Sequence, residues 1–92
     1  MFLEIVTPEA TLFKSDVDSV LVPGIDGEFQ MLNNHAPIVS LLTKGTIKVY
    51  GNFNIDKEYA DRFTDGKDKG KWLNVKSGVI EMNDNKIIIL ID

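Results

Sequence analysis

His35 is the single histidine of the chain, and it lies in the stretch Gly24 to Pro37, which reads G-I-D-G-E-F-Q-M-L-N-N-H-A-P. Turn formers, one titratable ring and a proline stand there at fixed offsets. A catalytic or metal-binding histidine needs companions: zinc takes four ligands, commonly several His or Cys, and a serine nucleophile needs an elbowed turn. The chain has no cysteine, and none of Ser15, Ser19, Ser40 and Ser77 stands in such an elbow. The residue types therefore favour a structural His35, bonded to loop backbone or touching a partner.

Other candidate chemistries weaken in the same way. Asp16 and Asp18, two apart on an expected strand, would share a face, but paired carboxylates acting on a sugar need a deep cleft. A hydrolase using His35 with Asp16 or Asp18 is the weakest reading. Asp61-Arg62-Phe63-Thr64-Asp65-Gly66 has Phe63 at a calcium-ligand position and Trp72 where the bidentate glutamate belongs. Gly24-x-x-Gly27 lacks the following Gly-Lys-Ser/Thr of a phosphate loop, and Lys44-Gly45-Thr46 has the residues in the wrong order. No nucleotide, metal or other cofactor is expected. Trp72, Tyr50, Tyr59 and the phenylalanines fit a sugar- or peptide-stacking platform, although aromatics on strands are more often core.

At 92 residues, 43% hydrophobic and 26% charged, the chain has the makings of one small folded domain. A net charge of −4 argues against nucleic acid and against anionic lipid surfaces. The absence of cysteine fits a reducing compartment. The opening M-F-L-E-I-V-T-P has neither the basic region nor the apolar run of a secretory leader, and no stretch approaches the roughly 20 apolar residues of a membrane span.

The elements that position these residues read as β. Apolar residues recur with a period near two and turn signals arrive every several residues, so an all-β sandwich or barrel is expected. Phe2 to Val6 reads as a first strand, Thr11 to Phe13 as a short second, and Asp16 to Val22 as a third. Pro23-Gly24 and Asp26-Gly27 then make a shaped loop, with Phe29, Met31 and Leu32 on a short extended run. Ile38 to Leu42 is apolar on both parities; in Thr46 to Tyr50, Ile47 and Val49 face in and Lys48 faces out. Lys71 to Lys76 is followed by a change of apolar phase that suggests a bulge or kink at Gly78. Asn83-Asp84-Asn85 turns into the last strand, Lys86 to Ile91, whose five consecutive apolar residues need cover on both faces. In Gly51 to Gly70, rich in charge and turn formers, the spacing of Ile55, Tyr59 and Phe63 allows a helical turn or two.

These residues together resemble a known family, the N-terminal β-sandwich of the ε subunit of bacterial F-type ATP synthase. The resemblance is carried by Gly24-x-x-Gly27-Glu28, Leu32, His35-Ala36-Pro37, the Lys44-Gly45 turn and the strand Thr46 to Val49. It continues in Ser77-Gly78-Val79-Ile80-Glu81, the hairpin Asn85 to Leu90 and the opening L-E-I-V-T-P-E-A-T-L-F, and covers nearly everything outside Gly51 to Lys71.

The resemblance implies about ten short strands in two packed sheets, a flattened sandwich or barrel forming one domain over residues 1–92. It implies a non-catalytic central-stalk rotor subunit, present in a single copy, that links γ to the c ring and supports the coupling of proton flow to ATP synthesis. Asp26, Glu28 and Phe29 would belong to the loop facing the c ring, and His35, Ala36 and Pro37 to the segment facing γ. The expected location is the cytoplasmic face of the bacterial inner membrane, peripheral and without direct membrane insertion. The two C-terminal helices that carry nucleotide sensing and inhibition in many members would be absent after Asp92. The alternative reading is a small carbohydrate- or peptide-binding sandwich using Trp72 and Tyr50.

Overall fold

In the computed structural model, which describes all residues 1–92, the alternating pattern becomes ten strands and one short 3-10 turn. In chain order the strands are β1 (Phe2–Val6), β2 (Thr11–Asp16), β3 (Ser19–Gly24), β4 (Gly27–Leu32), β5 (Ile38–Leu42), β6 (Gly45–Tyr50), β7 (Thr64–Asp65), β8 (Lys71–Val75), β9 (Gly78–Asn83) and β10 (Lys86–Ile91); the turn is Ala60–Arg62. One layer runs β2-β1-β10-β9-β5, and the other runs β3-β6-β8-β7 with β4 on the free edge of β3. Only β1 and β10 pair parallel.

The expected sandwich is present, and its two layers are joined. The seam between β3 and β5 is a single register pair, Gly24 with Leu42, beside which the Thr43 N–H donates to the Pro23 carbonyl at 2.8 Å. The hydrogen-bonded path is therefore one sheet, curled into a half-barrel. Period-two alternation fills the space inside the curl. Leu3, Ile5, Ile80, Met82, Ile87 and Ile89 of the first layer meet Val20, Val22, Met31, Ile47, Val49 and Leu73 of the second, all nearly inaccessible to solvent. Nineteen buried apolar side chains form one cluster.

Three local expectations need correction. The strand expected from Asp16 to Val22 is broken: Asp16 ends β2 and Val17-Asp18 turns into β3. The two carboxylates therefore do not share a strand face. The change of phase at Gly78 is a change of layer rather than a bulge, since β8 pairs with β6 whereas β9 pairs with β5 and β10. The stretch after Gly27, read as a loop with a short extended run, is a full strand, β4, paired along its length with β3.

In the segment 51–70, the expected helical turn is present as the single 3-10 turn Ala60–Arg62, none of whose residues is buried; Ile55 and Phe63 lie outside it. Phe63 instead packs beside Phe13, which also meets Phe53 edge-on at 5.0 Å. Ile55 and Tyr59 rest on the core.

Candidate interaction surfaces

The first surface is the tip of the β3–β4 hairpin. Gly24 and Gly27 pair across the two-residue link Ile25-Asp26, and each glycine has its own reason. Gly27 takes φ +123°, a region closed to most side chains, and a Cβ on Gly24 would lie 2.7 Å from the Phe29 ring. The tip thus exposes Ile25, Asp26 and Glu28, while Phe29 turns back onto the core. A shallow cleft of about 300 Å³ lies between this hairpin and Ile38 and Ser40 of β5.

Glu28 is held by a lateral contact. Its Oε2 lies 3.4 Å from Lys48 Nζ, and the same ammonium stands 4.7 Å over the Trp72 ring. Such a half-exposed pair contributes at most about 1 kcal/mol. Its greater effect is to fix where the carboxylate sits. The contact also counts against the alternative reading of an aromatic platform: Lys48 stands over the Trp72 ring and the Trp72 Nε1 is buried. Tyr50, the other half of that platform, donates its hydroxyl to Asp68 at 2.6 Å.

The loop joining β4 to β5 carries His35, Ala36 and Pro37, all exposed. His35 Nδ1 lies 2.7 Å from the Ala36 carbonyl, so that nitrogen carries the proton and donates. No hydrogen bond or ion pair joins His35 to Asp16 or Asp18, and no group of His, Cys, Asp and Glu could hold a metal ion. The loop is fastened from outside: Asn85 accepts the Asn34 N–H at 2.7 Å and donates to Asn33 Oδ1 at 2.8 Å.

Behind this loop the outer face of the first layer carries an apolar row. Leu41 pairs with Val79, Val79 with Leu90, and Leu90 with Val6, in register across four strands. Leu41 is 57% exposed and Leu90 52%, and Val39 beside them is 71% exposed. Single exposed apolar residues are ordinary, but a contiguous row on a sheet face marks an interaction site. The sequence signalled it only as strands apolar on both parities. The fastening by Asn85 and the support of Glu28 by Lys48 are contacts between residues distant in the chain and had no local signal.

All residues 1–92 match the family described as ATP synthase, Delta/Epsilon chain, beta-sandwich domain. This chain belongs to that family. Among its delta/epsilon relatives, the ATP synthase epsilon chain of Leptospira interrogans (strain Fiocruz L1-130) is 36% identical over 98% of this chain and 59% of its own length. That of Campylobacter concisus is 35% identical over 100% and 60%. The chain thus spans about three fifths of the length of the curated relatives it matches. A chain in the structure of the Tetrahymena thermophila mitochondrial ATP synthase central stalk and c ring superposes with a TM-score of 0.74 over 98% of this chain and 61% of its own. At 13% identity that likeness shows a shared fold alone.

Proposed function

We infer that this chain is the ε-type rotor subunit of an F-type ATP synthase, joining γ to the c ring so that proton flow is coupled to ATP synthesis, with no bond chemistry of its own. One observation carries the reading beyond family membership. Strand β5 serves two surfaces at once: Ile38 and Ser40 line the cleft beneath the hairpin tip, while Val39 and Leu41 stand on the outer apolar face. A single rigid strand therefore backs both an acidic tip and an apolar face, the arrangement wanted in an adaptor between two partners.

On this reading Asp26 and Glu28 form the tip offered to the c ring, and Phe29 anchors that tip to the core. His35, Ala36 and Pro37, continuous with the apolar face, meet γ. The acidic tip sets orientation and association more than affinity, and the apolar face supplies the area. The subunit lies on the cytoplasmic side of the membrane, held there by its partners; no helix here is long and apolar enough to cross one.

The test is purification of the ATP synthase from its source, with intact-mass measurement. One copy of this chain per γ is expected, and enzyme carrying Glu28→Lys should retain the subunit while its ion-driven ATP synthesis falls. Enzyme that contains γ and the c ring but never this chain would refute the assignment.

A further inference from the structure

The row next to the apolar one is not apolar throughout. Across the strands it reads Val39, Glu81, Ile88, Glu4 and Lys14, each paired with the next. Glu4 has a cation, with Lys86 Nζ 3.5 Å from its Oε1. Glu81 has none: the three ion pairs of the molecule involve Glu28, Asp65 and Glu4. It stands exposed between two apolar neighbours and borders two clefts, one with Asn83, Asp84, Lys86 and Ile88, the other with Pro37, Ile38 and Val39. The second cleft runs from the His35-Ala36-Pro37 segment onto the apolar face.

We propose that Glu81 is the specificity-determining residue of this face, and that the segment docking here carries a lysine or arginine that pairs with it. The inference rests on the reading above that γ covers this face. A partner seated on Leu41, Val79, Leu90 and Val6 also covers Val39 and Ile88, and so takes Glu81 out of water. A carboxylate buried without a partner is strongly unfavourable, enough to cancel the gain from several apolar contacts. Lys86 cannot serve, because it is engaged by Glu4 and lies over the Phe2 ring. The compensating charge must come with the partner. The apolar row spans about 14 Å across four strands, which matches two to three turns of helix. The fitting partner is a short segment with an apolar stripe and one cation on its flank.

The experiment uses ATP synthase depleted of this subunit, and titrates back the parent chain or the variants Leu41→Asp, Glu81→Gln and Glu81→Leu at low and moderate salt. Thermal unfolding of each variant confirms that it is folded. Leu41→Asp should abolish binding; if it binds like the parent, γ does not cover this face and the proposal falls with that reading. With the face established, Glu81→Gln and Glu81→Leu should each bind about tenfold more weakly or worse, with a flatter salt dependence. Glu81→Leu binding as tightly as the parent, or more tightly, would show a purely apolar partner and overturn the proposal.

Discussion

At the scale of single residues, charge on the outer face of the second layer is managed by neighbours. Tyr50 donates to Asp68 at 2.6 Å and the Gly70 N–H donates to the same carboxylate at 3.1 Å. These bonds hold Asp68 below its ordinary 3.8, the Tyr50 bond foremost. Partial burial, and then the hydrogen bond to Asp68 and the charge of that carboxylate, push Tyr50 above 10.0. The two shifts act at opposite ends of the pH scale. A carboxylate with a depressed folded-state pKa adds stability above its unfolded value and loses it as pH falls through the folded one. A phenol with a raised folded-state pKa adds stability below its unfolded value and loses it as pH rises through the folded one. Tyr50→Phe removes the phenol's contribution and the Tyr50 share of the carboxylate's, leaving the Gly70 bond in place, so the melting temperature should drop more at neutral pH than in strong acid or strong base. Melting curves across pH check this, and a difference that stays constant at every pH would rule out the linkage.

At the scale of elements, the segment carrying His35 depends on a hairpin more than 50 residues away. Asp84 and Asn85 take φ 50° and 61°, positive at both central positions as a two-residue hairpin turn requires. That geometry presents the Asn85 amide to Asn33 and Asn34. Asn85→Gly keeps the left-handed backbone accessible while deleting the amide. It should cost about 1 kcal/mol, the worth of two exposed hydrogen bonds less the release of strain. Amide exchange at Asn34 should accelerate while the β9–β10 ladder stays protected; unchanged Asn34 exchange would show that the loop is held by other means. This also marks how far the sequence could be read. Strand positions and the Asn83-Asp84-Asn85 turn follow from alternation and turn chemistry, which are local. The Asn85 fastening, the Lys48 support of Glu28 and the isolation of Glu81 depend on register between strands far apart in sequence, which composition does not encode. The break between Asp16 and Ser19 has the same origin: alternation continues across Val17-Asp18, and only the pairing partners show where one strand stops.

At the scale of the whole molecule, two layers joined by one register pair could in principle open separately. The core argues against that. Its nineteen side chains come from both layers and form one cluster, and a 92-residue domain has a total stability of only roughly 5–14 kcal/mol. Neither layer has a second apolar interior to fall back on. Damage to one inner face should therefore be felt equally by the other. Ile89 is fully buried on β10 in the first layer, whereas Trp72, the single tryptophan, is on β8 in the second. Ile89→Ala leaves a cavity and should cost about 2–5 kcal/mol. In urea, Trp72 fluorescence and far-ultraviolet circular dichroism should shift to the same lower midpoint, as expected of a two-state domain. Trp72 fluorescence keeping the parent midpoint while circular dichroism moves would reveal layers that unfold independently. The proposed function, with a hairpin tip on one layer and an apolar face on the other, would then lack the rigid connection it requires.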